Sequence, residues 1–403
     1  MRSQTTAAAT RSTGDFISEG EFPAAGHVGA NGGPAQGGVL FVAFELGWSQ
    51  WQLAFSTDQR RKPRRRTVPG RDLAGLNREL EKAKTRFDLP LEAPVYSCYE
   101  AGRDGFWLHR YLVSQGIENV IVDSSSIEVN RRARRAKNDA LDAGKLLTML
   151  IRYHSGERDL WSVLGVPGPE AEDVRQRQRE IETLRDDRKR HVNRIKGLLA
   201  NQGVAVQVDT KLKDRLGSLR LWNGQPLPAH LHACLERELE RLALVDDQLK
   251  RIERERREHE RQANDAWAKQ VRQLCALRGV GPESAWLTVG ELFGWRDIRN
   301  RKQLAALAGL TPTPYDSGTV QKEQGISKAG NKRLRTMMVQ IAWGWLRYQP
   351  QSELSQWYQQ RFGSGGKRQR RTGIVALARK LLVALWRYLQ TGQPPSGARL
   401  QVT

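Results

Sequence analysis

Four carboxylates and one serine are the residues here whose types and spacing could do chemistry. Glu45 lies inside "LFVAFEL", a run apolar on both faces, and Glu100 closes the similar run "VYSCYE". A carboxylate in a strand buried on both sides must be protonated, paired or bound to a cation, so both acids are expected to be buried and to have a purpose. Asp139 and Asp142 stand three residues apart at the start of a helical pattern, "NDALDAGKLL", and project from the same face. Acids also favour helix starts for electrostatic reasons alone, so the pair by itself reads first as a solvated N-terminus, and only the addition of Glu45 and Glu100 turns the reading toward a site. Together the four could hold one or two Mg²⁺ ions through oxygen ligands, the hard-cation chemistry that polarises phosphoryl groups.

Ser317 sits in "PYDSG", and each of those residues favours a turn for backbone reasons. It is also a candidate nucleophile, which these five residues alone do not favour over the turn. A serine hydroxyl attacks only once its proton is removed, which needs a base or a metal nearby, and no histidine stands beside it in sequence.

Phosphate is the electrophile that the charge suggests. A net charge of +22 and a pI near 10.3 imply a polyanionic partner, nucleic acid first. The run holding Arg131, Arg132, Arg134, Arg135 and Lys137 immediately precedes the Asp pair and would draw phosphates to it, unless it is only a solvated face. "RRKPRRR" from Arg60 and "GGKRQRR" from Gly365 suggest further polyanion surfaces. In "LRGVGPESAW", Gly279 and Gly281 join two apolar segments in the manner of a helix-hairpin-helix. Such a turn can offer backbone N–H groups to DNA phosphates, and the same pattern also makes an ordinary helical hairpin.

The elements that must position these residues divide the 403-residue chain into an expected tail and three domains. Residues 1–38 are rich in Gly, Ala, Ser and Thr and read as a disordered tail. Residues 39–155 alternate strands and helices, starting with a hairpin about "GWSQ", and predict an α/β domain with a largely covered sheet. Residues 156–268 carry two charged helices with apolar seams, Val174 to Leu199 and Leu235 to Ile252, joined by "LWNGQPLPAH". That pattern predicts an antiparallel coiled-coil arm, packed within its own chain or against a second copy. Residues 269–403 read as short helices, with Trp343, Trp345 and Trp386 as helix-packing core or as base-stacking groups. Three widely separated cysteines, Cys98, Cys234 and Cys275, indicate neither a disulfide framework nor a zinc site and fit a reducing cytoplasm. No apolar run reaches the length of a membrane span.

Five stretches, "CYEAGRDGFWLHR", "AKNDALDA", "LRGVGPESAW", "LAALAGLTPTPYDSG" and "GISKAGNKRLR", in this order and spacing, resemble the transposases of the insertion-sequence 110 family. The resemblance runs from Val39 to about Trp386. It implies a ribonuclease-H-like domain of the Holliday-junction-resolvase (RuvC-like) type followed by a mainly helical transposase domain. It implies a bridge-RNA-guided recombinase acting on donor and target DNA in a bacterial or archaeal cytoplasm, as a dimer assembling to a tetramer. The family's Asp-Glu-Asp-Asp set, with Mg²⁺, falls on Glu45, Glu100, Asp139 and Asp142, so Glu45 stands where the family has aspartate and reaches one methylene further. The family's nucleophile falls on Ser317. Lys328, Asn331, Lys332, Arg333 and Arg335 are then candidate phosphate clamps, with Gly325 and Gly330 allowing close backbone approach. Two other functions suit the same residues: a metal-dependent junction nuclease that uses water and does not need Ser317, and a nucleic-acid-binding relative without catalysis.

Overall fold

Seven residues, most of them large and β-prone, form β1 (Leu40–Leu46) at the centre of a five-stranded sheet. The computed structural model of the chain describes residues 38–127, 139–317 and 320–401, with the backbone alone at 125, 139–141, 315–317 and 320–324. The expected tail lies outside the described residues except for residue 38. Two compact units emerge among the described residues, one drawn from 38–100, 109–120 and 139–160, the other from 101–108, 121–127, 161–317 and 320–401.

In the sheet, β1 turns at Gly47 into the antiparallel β2 (Gln50–Ser56), as the hairpin pattern requires. β2 pairs antiparallel with β3 (Arg64–Pro69), an edge strand that the basic run "RRKPRRR" concealed. Its arginines are compatible with an edge, where charge discourages further pairing. Arg64 lies over the Phe55 ring at 5.5 Å and bonds Glu79 of α1 (Leu73–Arg86). Helix α1 starts at Asp72, whose carboxylate accepts the Gly75 N–H at 2.8 Å. β4 (Val95–Glu100) lies parallel to β1, and after α2 (Trp107–Ser114) β5 (Glu118–Val122) completes the order β3-β2-β1-β4-β5. Leu40, Val42, Ala43 and Phe44 are fully buried, so β1 is the covered central strand its composition predicted. The last element here, α3 (Asp139–His154), packs on β1, β2 and β4.

The second unit contains the long helices α4 (Pro169–Ala200) and α6 (Ala229–Gln262), joined through the short α5 (Leu212–Arg215). Ile181 meets Val245 and Leu249, while Ile195 and Leu199 meet Leu235, Leu239 and Leu242. The helices are therefore antiparallel, and the predicted seam is the one they bury. Val174 departs from it and packs instead with the C-terminal core. Cross-pairs Arg188–Asp246 at 2.7 Å and Arg194–Glu238 at 2.9 Å neutralise much of the surface beside that seam.

Downstream come α7 (Ala266–Cys275), α8 (Pro282–Thr288), α9 (Arg301–Leu307), the hairpin β6 (Pro312–Ser317) and β7 (Val320–Ile326), then α10 (Lys332–Tyr348), α11 (Glu353–Tyr358) and α12 (Lys367–Thr391). Trp286, Met338, Trp345 and Leu381 lie in their shared core. Trp345 is fully buried and donates its indole N–H to the Ser352 hydroxyl at 2.8 Å, which makes it core. Trp386 packs partly against the same core, and Trp343 remains half exposed. Among the described residues, no helix is long and apolar enough to cross a membrane, and all three cysteines are free.

Candidate active site

The register between β1 and β4 ends on the pair Phe44–Tyr99. Glu45 and Glu100 are the next residue on each strand, so the two acids occupy neighbouring carboxyl ends. Side chains alternate across a strand, which puts Phe41, Ala43 and Glu45 on one face together with Tyr96, Cys98 and Glu100. That face is the one α3 covers. The His154 ring lies 4.1 Å from Tyr96 and 5.7 Å from Phe41, and the Cys98 thiol lies 3.8 Å from the Leu146 carbonyl.

These contacts orient the helix. Its C-terminal end lies over the starts of the strands and its N-terminal end over their carboxyl ends. Asp142 is one turn ahead of Leu146, about 6 Å along the helix, and Glu100 is two residues beyond Cys98, about 6.6 Å along the strand. Glu45, Glu100 and Asp142 are thus gathered at one corner of the sheet. Asp139 opens the same helix, and its side chain lies outside the described ones.

One expectation is corrected. Glu45 is only half-buried and Glu100 is exposed, because both stand where the strands run out of the sheet rather than in its middle. Burial therefore does not force a cation on them. Asp142 is partly exposed and pairs with Lys145 at 3.2 Å. A methyl group placed on Gly144 would come within 3.1 Å of Arg65 Nη2, so the glycine lets a β3 arginine reach the helix beside Asp142. Among the described residues, no three acids, histidines or cysteines come close enough to hold a metal ion. Arg131, Arg132, Arg134, Arg135 and Lys137 lie outside the described residues.

Ser317 ends a strand rather than occupying an isolated turn. It is the last residue of β6, paired with Val320, and residues 318 and 319 between them lie outside the described residues, as does the serine side chain. The base of this hairpin is tied to the end of α9. Ser327 N–H donates to Thr311 at 2.8 Å, Lys328 N–H to Gly309 at 3.2 Å, and Asn331 N–H to Leu307 at 2.8 Å. Lys328 and Gly330 have φ of 55° and 105°, the left-handed region. A methyl on Gly330 would meet the Ala306 and Leu307 carbonyls at 2.6 Å. The close approach that this glycine permits is thus to α9.

The predicted clamp residues divide by partner. Asn331 accepts from the Arg333 and Leu334 N–H groups, capping α10, and donates Nδ2–H to Glu291 at 2.8 Å. Arg333 pairs with Glu182 at 3.0 Å, and Arg335 donates to the Ala308 carbonyl at 3.2 Å, finishing α9. Lys328 and Lys332 are exposed. Glu291 was missed by the sequence reading. It is 3% exposed and is approached by Arg175 at 3.4 Å, Arg333 at 3.7 Å and Arg179 at 3.8 Å, tying α4 to α10. Nothing in the sequence around Glu291 marks it, since its partners come from two distant helices. Gly279 has φ of 94° and would bring a methyl to 3.1 Å from Tyr348 Cβ, whereas Gly281 precedes α8 with open space around it.

A sequence model described as the transposase IS116/IS110/IS902 family matches residues 271–358, the stretch from α7 to α11 that includes Ser317. Over 374 residues the chain is 43% identical to a putative transposase, y4rJ, of Sinorhizobium fredii, covering 90% of this chain and 94% of that protein. It is 28% identical over 287 residues to the putative transposase y4qE of the same organism, covering 69% and 64%. A probable family 20 transposase of Pseudomonas aeruginosa is 29% identical over 201 residues, covering 49% and 57%. With the family model placed on the serine-bearing segment and a relative this similar over nearly the whole length, the chain belongs to the IS116/IS110/IS902 family of transposases.

Proposed function

We propose that this transposase cuts and rejoins donor and target DNA through a covalent bond to Ser317, assisted by the acids of its N-terminal sheet and guided by a bridge RNA. The observation that carries this reading is the gathering of Glu45, Glu100 and Asp142 at one corner, with the helix opened by Asp139 laid across it. A three-stranded meander extended by a parallel fourth strand supports the ribonuclease-H-like, RuvC-like assignment of that sheet.

Carboxylates are the donors that a hard dication such as Mg²⁺ takes. As placed, Glu45, Glu100 and Asp142 do not converge closely enough to hold one, and they would do so once Asp142 turned from its exposed, weak pair with Lys145, with Asp139 as a further carboxylate. When bound, Mg²⁺ would supply charge stabilisation at the phosphoryl oxygens and at the leaving oxygen. In the chemical step, the Ser317 hydroxyl oxygen bonds to phosphorus, its proton passes to solvent or a nearby carboxylate, and one phosphorus–deoxyribose oxygen bond breaks. The departing deoxyribose oxygen takes up a proton. Attack by a second strand end on the phosphoserine reverses these changes, so the bond is kept and rejoining needs no ATP. Exposed Lys328 and Lys332 at the foot of the hairpin can hold the flanking phosphates as point charges. A dimer or tetramer would allow one copy's acids to serve another's serine.

The test is to incubate the protein with Mg²⁺, its guide RNA and cognate DNA and look for a denaturation-resistant protein–DNA adduct. Wild type gives the adduct, and Ser317→Ala and Asp142→Ala do not. Cleavage that persists in Ser317→Ala would instead establish a nuclease that uses water.

A further inference from the structure

After Glu353 the chain has no Asp or Glu, and nine Lys or Arg. Elsewhere in this unit the long helices α4 and α6 pair many of their charges with each other. Here the segment itself supplies no acid to do so. Helix α12 concentrates the excess on one side. Arg368, Arg371, Arg379 and Arg387 recur at spacings that keep them along one flank of the helix, while Leu377, Leu381 and Leu385 on the opposite flank are fully buried in the core. From Arg371 to Arg387 is about 24 Å of helix.

That flank is a wall of a cleft of about 1700 Å³. Arg301 from α9 and Arg361 from beyond α11 add cations, and among the described residues Glu353 is the one acid in its lining. Between the charges the cleft wall is apolar, with Val375, Val383, Trp357 and Phe362. Trp357 carries the Lys380 ammonium at 4.6 Å over its ring. The foot of the serine hairpin, Pro312, Gly325 and Ile326, borders the same space.

We infer that this cleft takes an unpaired segment of the DNA strand that Ser317 attacks. Its charge calls for a polyanion. Its apolar, aromatic floor calls for bases turned outward, because a duplex keeps its bases stacked inside and would offer such a floor only phosphates. DNA rather than RNA follows from the shared hairpin, so this choice of strand rests on the serine chemistry proposed above. The cleft would hold the unpaired strand at the foot of the hairpin, about 17 Å of strand from Ser317, while it is exchanged.

The test uses the full chain without guide RNA and three fluorescein-labelled probes: a 15-nucleotide oligothymidylate, an oligouridylate of equal length and a 15-base-pair duplex. Binding is measured across a salt series for wild type, for Arg371→Ala/Arg379→Ala/Arg387→Ala, and for Arg254→Ala/Arg257→Ala/Arg261→Ala, which removes the same charge from α6. The cleft variant should bind oligothymidylate at least tenfold more weakly, with a salt dependence shallower by about 2 log units per log unit of salt, at ~0.7 per lost phosphate contact. The α6 variant should stay within threefold of wild type. Trp357→Leu should weaken single-strand binding several-fold without changing the salt slope, because stacking releases no counterions. Equal losses in the two triple variants, tighter binding of the duplex, or preference for oligouridylate would each overturn the inference. Ser317→Ala should bind oligothymidylate as wild type does. If wild type forms no adduct yet the cleft variant still loses the oligonucleotide, the serine mechanism fails and the single-strand cleft stands.

Discussion

Asn331 does two tasks with one side chain, and that makes it the most exposed to substitution among the predicted clamp residues. Its oxygen caps α10 and its amide nitrogen satisfies the buried Glu291. Asn331→Ala removes both, and thermal or urea denaturation should show a loss of about 1–3 kcal/mol. Asn331→Asp should be at least as harmful, because it keeps a cap but sets a second carboxylate against Glu291. His154 is a second sensitive residue. Burial beside Tyr96 and Phe41, and then the nearby Arg158, hold its pKa at about 4, below the usual 6.5. The unfolded chain therefore binds a proton between pH 6.5 and 4 that the folded chain refuses, so stability is full above pH 6.5 and declines as pH falls through that window. His154→Gln should flatten this part of the melting-temperature profile relative to wild type.

At the scale of elements, the serine hairpin depends on how its foot is anchored. Gly330 adopts a left-handed conformation against two α9 carbonyls. Gly330→Ala adds both backbone strain and a clash, and should cost about 2–4 kcal/mol or loosen the hairpin locally, read as faster amide exchange at Ser327 and Asn331. Gly325 has φ of 97° but open space where a methyl group would go, so its change to alanine should cost less, since strain alone applies. The hairpin itself was not legible in sequence. Its strands carry three prolines or glycines and several charges, and they pair with each other rather than with a larger sheet, so alternation is faint. β3 was hidden for a related reason: an edge strand needs only one buried residue, here Val68, and tolerates charge at the rest.

For the whole molecule, chemistry and nucleic-acid holding should be separable. Chelating Mg²⁺ should abolish the protein–DNA adduct while leaving oligothymidylate binding to the C-terminal cleft unchanged, as followed by gel and by fluorescence anisotropy on one sample. Loss of both together would mean that the acids and the cleft do not act independently. Raising salt should do the reverse, weakening binding steeply through counterion release before it affects the acid corner.

The sequence by itself determined the elements whose pattern is strong: the buried central strand, the two long helices with their apolar seams, and the order of acids, basic runs and serine along the chain. These follow from local periodicity, which a chain carries without reference to its fold. Only the tertiary structure decided that Glu45 and Glu100 stand at solvent-facing strand ends, that Asn331, Arg333 and Arg335 have protein partners, and that arginines from α12, α9 and the segment after α11 line one cleft. Exposure, partnership and enclosure depend on which distant segments meet, and residue spacing along a helix or strand contains no record of that.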